Sequence, residues 1–157
     1  MKTLTIIALF ISTLFLSCKS GDNLSKAERI ANITEKVESG DYTFVPQTVL
    51  PMGGKAVDLN YSFYLKVRKD TIESHLPYYG RAYVAPFPSE NGGITFVSTD
   101  FNYTISDKEK GTWNAHIGLN DSQKRHKLSL KIGDTGYTTL TVLDNNRQSI
   151  SFYGKIE

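Results

Sequence analysis

The fold of this chain is decided by residues 128–142, LSLKIGDTGYTTLTV. Apolar residues stand at every second position on both sides of a Gly-Asp-Thr-Gly turn signal, which is the pattern of β-strands that each bury one face. Strands joined by so short a turn must be antiparallel neighbours. The stretch therefore predicts a β-hairpin that packs one face on a core.

The same alternation repeats along most of the chain. Further predicted strands lie around residues 59–67, 101–105, 113–117 and 150–156. Turn signals separate them at residues 69–70, 107–111, 120–122 and 144–146. We therefore predict a mainly β domain, an antiparallel meander of about eight to ten strands that forms a curved sheet, a sandwich or a barrel.

One amphipathic helix is predicted before the strands, over about residues 25–39. Ser25 and Glu28 have the spacing of a capping box, and Gly40 supplies a stop. The apolar residues fall largely on one side of this helix: Ala27, Ile30, Ala31, Ile33 and Val37. We expect that side to lie on the core.

The amino terminus has the form of an export signal. Lys2 precedes an apolar run over residues 4–16, which is too short to span a bilayer because a span needs roughly 20 apolar residues. Phe15-Leu16-Ser17 before Cys18, the single cysteine, resembles a bacterial lipobox. We predict a signal peptide over residues 1–17, a lipidated tether over 18–24 and one domain over 25–157. The alternative is an ordinary signal peptide cut near Ser17, which leaves a free thiol.

Charge and the predicted lipid define the expected partners. The 18 basic and 16 acidic residues nearly cancel and are scattered, so we expect no nucleic-acid binding. The basic run at residues 124–127 is interpreted as a solvated hairpin tip. A lipid on Cys18 makes the membrane a partner, and we expect a monomer on the periplasmic side of the outer membrane, since residues 19–22 contain one acidic residue.

Residues 75–86, HLPYYGRAYVAP, do not alternate and contain the candidate site. In a structural interpretation, the tyrosines close one end of the fold while Arg81 stacks on a ring or pairs with Asp70 or Glu73. In a functional interpretation, the segment lines a mouth for an anionic or carbohydrate-like ligand. A third possibility is that exposed aromatics form a surface for a protein partner. The candidate residues are His75, Tyr78, Tyr79, Arg81 and Tyr83.

The sequence contains no recognisable catalytic or metal motif. His75, His116 and His126 have no partner at metal-ligand spacing, and neither a G-x-S-x-G elbow nor a phosphate-binding loop occurs. We therefore predict no catalytic residue, no metal and no cofactor. A hydrolase with a site near residues 75–86 is the alternative.

The segment 76–83, LPYYGRAY, resembles the uncharacterised family of Bacteroidetes lipoproteins called domain of unknown function 4251. Similar elements extend along the chain: Ala85-Pro86, residues 92–96, Tyr42-Thr43-Phe44, the Trp113 strand and Ile150 to Gly154 preceded by Asn146-Arg147. Tyr79 departs mildly from the family, which often has phenylalanine there. The resemblance implies a secreted, lipid-anchored, mostly β protein and no assigned activity.

Two further expectations follow. Asp70-Thr71-Ile72 resembles the sequon for O-glycosylation of exported proteins in this bacterial group, which predicts a glycan on Thr71. For function, we expect a non-catalytic, lipid-anchored binding or accessory domain of the cell envelope. The alternatives are a periplasmic hydrolase and a small-ligand binder near residues 75–86.

Overall fold

A computed structural model describes residues 25–60, 62–83, 92–106, 108–120 and 126–157. The predicted signal peptide, Cys18 and the tether lie outside these residues. The described elements are helix α1 (Lys26–Ser39) and strands β1 (Tyr42–Pro51), β2 (Val57–Asp58), β3 (Tyr64–Val67), β4 (Ile72–Leu76), β5 (Ile94–Ser98), β6 (Phe101–Ile105), β7 (Thr112–Leu119), β8 (Lys127–Gly133), β9 (Tyr137–Asp144) and β10 (Arg147–Ile156). The predicted mainly β fold with one preceding helix is confirmed.

The strands form one antiparallel sheet that nearly closes into a barrel. Their order is β5-β4-β3-β1-β10-β9-β8-β7-β6, and the short β2 pairs with β1. Strands β6 to β10 form the predicted meander. The sheet departs from a simple meander at its centre, where β1 pairs with β10 and joins the first half of the chain to the last.

Strands β5 and β6 lie at opposite ends of this strand order although only Thr99 and Asp100 separate them. Every neighbouring pair of strands in the sheet is antiparallel, so the strand direction reverses at each pairing. The strand order contains an even number of pairings between β5 and β6, so these two strands run in the same direction. The carbonyl of Asp100 accepts a hydrogen bond from the backbone of Asn120, 3.1 Å away, which extends the β6–β7 pairing. The chain therefore passes from one sheet edge to the other as a single bent strand.

The hairpin predicted from residues 128–142 is confirmed as β8 and β9. Leu128 lies opposite Val142, and Leu130 opposite Leu140, with all four side chains buried. Gly136 closes the turn with φ 87°, a conformation that L side chains rarely adopt.

Helix α1 begins and ends where the sequence predicts. The Ser25 backbone donates to the Glu28 carboxylate over 2.7 Å, and the Glu28 backbone donates to the Ser25 hydroxyl over 3.3 Å. Gly40 ends the helix in the left-handed conformation, with φ 65°.

The buried face of α1 is shorter than predicted. Ile33 and Val37 are buried, whereas Ala27 and Ala31 are exposed. A Cβ placed on Gly136 would lie 3.0 Å from Cδ1 of Ile33, so the second half of the helix packs on the β8–β9 turn at one end of the barrel. Among the described residues, no helix has the length and apolar character needed to cross a membrane.

The strand predicted over residues 59–67 is wrong in its first half, because only Tyr64–Val67 is a strand. The Leu59 backbone donates instead to the Gln47 carbonyl over 2.8 Å. The Asn60 side chain accepts hydrogen bonds from the backbone and hydroxyl of Ser62. The first of these bonds extends the β1–β2 pairing and the others form a turn, so Leu59 and Asn60 lie outside the β1–β3 pairing.

Side chains from the described strands fill the interior of the barrel. The largest fully buried side chains are Trp113, Tyr42, Phe44 and Phe152, packed with Leu, Ile and Val from every long strand. Interiors packed in this way leave few voids larger than a water molecule.

Among the described glycines, Gly154 in the β1–β10 pairing leaves the least room for a side chain. A β-bulge falls between Pro46 and Thr48, and Pro46 lies opposite Gly154. A Cβ on Gly154 would lie 2.7 Å from the Cα of Pro46 and still closer to the carbonyl oxygen of Val45. The bulge places a proline within a central strand, and the glycine opposite makes room for it.

Candidate functional site at the mouth of the barrel

The end of the barrel away from α1, here called the mouth, is crossed by residues 77–83, here called the strap. The strap continues from β4 and reaches the turn between β9 and β10. The Tyr83 backbone donates to the Asn146 carbonyl over 2.7 Å, and the Gln148 backbone donates to the Arg81 carbonyl over 3.0 Å. Ala82 lies opposite Arg147 in an isolated bridge. Ala82 is bridged in isolation, so the strap follows this turn without forming a regular strand.

Tyr78 anchors the strap to the mouth. Its ring is half-buried against the core, and its hydroxyl lies 2.9 Å from the Arg81 carbonyl and 3.0 Å from the Gln148 carbonyl, which accept from it. A Cβ on Gly80 would lie 2.7 Å from this hydroxyl, so only glycine lets the strap fold back on the ring. Burial raises the pKa of Tyr78, and the nearby Arg147 charge partly opposes that rise.

Arg147, rather than Arg81, stacks on an aromatic ring of the strap. Its guanidinium lies over the Tyr78 ring, 5.2 Å from the centroid. Its Nη1 donates to the carbonyls of Gly92 and Gly93 over 3.0 and 3.2 Å. One side chain therefore joins β10, the strap and the turn before β5. Sequence reasoning missed this role because Arg147 follows a turn signal, where a solvated charge is the usual interpretation.

The Arg81 side chain is exposed, and no hydrogen bond or ion pair links it to another described residue. Its two predicted carboxylate partners are engaged elsewhere. The Asp70 carboxylate accepts from the Thr71 hydroxyl over 3.1 Å, and the Glu73 carboxylate accepts from Lys66 over 3.1 Å. The predicted pairing of Arg81 is therefore wrong, because β4 directs Glu73 towards β3.

The tyrosines of the strap divide into two groups. Tyr78 packs inward, whereas Tyr79 and Tyr83 are 42% and 67% exposed. The interpretation that all three tyrosines close the end of the fold therefore holds for Tyr78 alone. Tyr79, Arg81 and Tyr83 present their side chains to solvent.

His75 lies on the outer face of β4, apart from the ring of Tyr78 in the mouth. Its imidazole stacks with Phe63 at 5.6 Å and contacts Tyr64 at 5.8 Å between centroids. Its Nδ1 lies 3.5 Å from the Thr95 hydroxyl. The structure therefore does not bring together all the residues selected from the segment 75–86.

Next to His75, a polar cluster holds Glu73 in its charged form. The Tyr64 hydroxyl donates to its carboxylate over 2.6 Å, and the Lys66 ammonium lies 4.2 Å from the Tyr64 ring centroid. The hydrogen bond from Tyr64 and then that from Lys66 lower the pKa of Glu73, while the same bond to Glu73 raises the pKa of Tyr64. The cluster is partly exposed, and its groups satisfy one another.

Sequence reasoning missed a second group at the mouth. His126 Nδ1 lies 3.2 Å from the Asp144 carboxylate, with both side chains less than a fifth exposed, and the imidazole stacks on Phe96 at 5.5 Å. The interpretation of His126 as part of a solvated tip is therefore wrong. The alternation of Leu128 and Leu130 extends back to His126, so the same period of two could have placed it on the buried face.

The other residues considered from the sequence are His116, Thr71 and Cys18. His116 is exposed on β7. Thr71 lies half-buried beside Asp70 in the β3–β4 turn, where its O-glycosylation stays a prediction. Cys18 lies outside the described residues. Within the described ranges, no three His, Cys, Asp or Glu side chains are grouped to hold a metal ion.

Comparisons with known proteins agree with this fold. A model of the family described as Domain of unknown function (DUF4251) matches residues 25–156. The crystal structure of a DUF4251 family protein from Bacteroides eggerthii DSM 20697 is similar, with a TM-score of 0.61 over 84% of this chain and 91% of that chain. The sequence identity is 11%, so this likeness concerns the fold alone. No curated protein matches the chain.

Proposed function

The chain belongs to the DUF4251 family, and from this premise we propose that it is a non-catalytic binding or accessory domain of the cell envelope. The filled interior is the observation that carries the proposal. Trp113, Tyr42 and Phe152 occupy the space in which ligand-binding barrels hold a small molecule. A partner would therefore contact the outside of the barrel or the strap.

The polar clusters support a binding role over catalysis. Glu73 is held by Tyr64 and Lys66. The Asp144 carboxylate lies 3.2 Å from His126 Nδ1 and accepts from the Asn146 backbone over 2.7 Å. A hydrolase needs a base within reach of a nucleophile and an open position for substrate. These carboxylates already have structural partners, so the hydrolase near residues 75–86 is the weaker proposal.

A small ligand at the strap is also the weaker proposal. Binding sites for small molecules are concave, whereas Tyr79 and Tyr83 project from the strap. A shallow depression of about 390 Å³ lies elsewhere, beside Asn102, Gly118 and Lys127 on β6, β7 and β8.

The envelope location rests on the predicted lipid at Cys18. Several acyl chains on one residue would hold the domain at a membrane, since each buried methylene contributes about 0.8 kcal/mol and a single chain binds marginally. We place the domain on the periplasmic side of the outer membrane.

Metabolic labelling with a radioactive fatty acid tests this part of the proposal. The wild-type chain should incorporate label and fractionate with the outer membrane, and Cys18→Ala should do neither. Cys18→Ser is the matched control, because it keeps the size of the side chain but cannot form the thioether. Label that persists in both variants would contradict the anchor.

A further inference from the structure

Exposed apolar side chains lie on the strap beside Arg81 and on the adjoining β1–β2 hairpin. Ten large hydrophobic side chains of the described residues are exposed, and half of them belong to the strap or to the β1–β2 hairpin. These five are Leu50, Met52, Val57, Tyr79 and Tyr83. Together with Arg81 they are called the mouth patch below.

The sheet topology makes the hairpin and the strap neighbours. Strand β9 pairs with one edge of β10, where Asp144 lies opposite Arg147. Strand β1 and the strap share the other edge, with Pro51 opposite Ile150 and the Arg81 carbonyl bonded to Gln148. Two residues along a strand span about 7 Å, so the end of β1 lies one step from the strap.

The composition of the mouth patch is that of a protein interface. Tyrosine, methionine and arginine are enriched at such interfaces and among the residues that dominate their affinity. Met52 is 61% exposed and Tyr83 67% exposed, so these side chains project. Projecting side chains suit a protein surface better than a small molecule, which needs a concavity.

The positive charge of the mouth patch indicates which chemical group a partner must present. Arg81 has no carboxylate partner among the described residues, and Lys55 is exposed in the adjoining hairpin turn. The one acidic side chain of β2, Asp58, accepts from the Thr48 hydroxyl over 3.3 Å. A guanidinium surrounded by apolar groups binds a carboxylate strongly, through paired charge-assisted hydrogen bonds.

We propose that the mouth patch docks a protein partner that presents a carboxylate, from Asp or Glu, flanked by apolar residues. The proposal rests on the binding role proposed above and names its surface and its partner chemistry. The strap is ordered before binding, because Tyr78, Gly80 and Gln148 fix the backbone of Arg81. The strap therefore loses little conformational freedom when a partner docks.

A peptide library with randomised flanks and a central residue fixed as Glu, Gln or Lys tests the proposal on the full-length chain in detergent. Peptides selected with central Glu should bind about tenfold or more tightly than the same peptides with Gln, because a charge-assisted bond is lost. Arg81→Glu should reverse the preference towards Lys, and Arg81→Gln should remove it. Tyr83→Ser should weaken binding of every peptide.

Tyr137→Ser is the matched control, because Tyr137 is 44% exposed at the start of β9, at the end of the barrel opposite the mouth patch. It should leave affinity unchanged, and Trp113 fluorescence should show that every variant is folded. Equal binding of Glu, Gln and Lys peptides, or no binding of any, would overturn the proposal. So would a dimer in sedimentation that Tyr83→Ser abolishes, since a second copy would then occupy the patch. Fatty-acid labelling at Cys18 reports on the anchor independently of either result.

Discussion

Substituting Gly154 by alanine should break the pairing on which the barrel depends. The added Cβ would lie 2.7 Å from the Cα of Pro46 and 2.9 Å from the Val45 carbonyl carbon. Both are backbone atoms of a central strand, so no side chain can rotate away, and β1 must separate from β10. Overpacking in cores costs about 1 to 3 kcal/mol and sometimes more, and a backbone clash lies at the upper end. We therefore expect Gly154→Ala to lose about 3 kcal/mol of unfolding free energy, a large part of the roughly 5 to 15 kcal/mol of a typical domain.

Urea unfolding followed by the fluorescence of Trp113, the single tryptophan, measures this loss. In thermal unfolding the same loss should lower Tm by about 6 to 12 °C for a chain of this size. Gly118→Ala is the matched control, because Gly118 lies on β7 and nothing lies within 4 Å of its added Cβ. We expect that control to change stability by less than about 0.5 kcal/mol or to stabilise slightly. Equal stability of the two variants would refute the role given to Gly154.

Three further outcomes follow from side-chain geometry. Burial raises the pKa of Tyr42 well above its usual value, so the contribution of Tyr42 to stability is present below about pH 10 and is lost as the pH rises further. In Tyr42→Phe, the urea midpoint should therefore fall less at alkaline pH than it does in the wild-type chain. The pKa of Glu73, lowered by its hydrogen bonds from Tyr64 and Lys66, should rise in Tyr64→Phe when its carboxyl is titrated by NMR, and an unchanged value would contradict the bond. The rings of Tyr137 and Tyr153 stack at 5.8 Å between centroids, so a double-mutant cycle to serine should give a coupling of about 0.2 to 1 kcal/mol, whereas strict additivity would show that the stacking contributes nothing.

The local patterns that predicted secondary structure were reliable where one physical cause acted alone. Ser25, Glu28 and Gly40 fix the ends of α1 through bonds within a few residues. The alternation at residues 128–142 fixes β8 and β9, because a strand with one buried face allows no other register. Such features depend on neighbours in sequence, which is why the sequence predicts them.

The features that sequence missed depend on pairs far apart in the chain. Arg147 reaches Gly92, and Tyr78 reaches Gln148, only because the strap crosses the mouth. His126 is partly buried because Phe96 and Asp144 arrive from other strands. From its neighbours in sequence alone, each of these residues is interpreted as a solvated polar group or a loop residue. Its role is therefore visible only in the assembled barrel.

The central position of the β1–β10 pair has a consequence for how the chain is made. One half of the sheet, β5-β4-β3-β1, comes from the first part of the domain, and the other half, β6 to β10, from the last part. The strand that joins them, β10, is ten residues long and is the last of the described strands in chain order. A growing chain therefore cannot complete this sheet until β10 has been synthesised. Removal of β10 would leave two half-sheets with open edges.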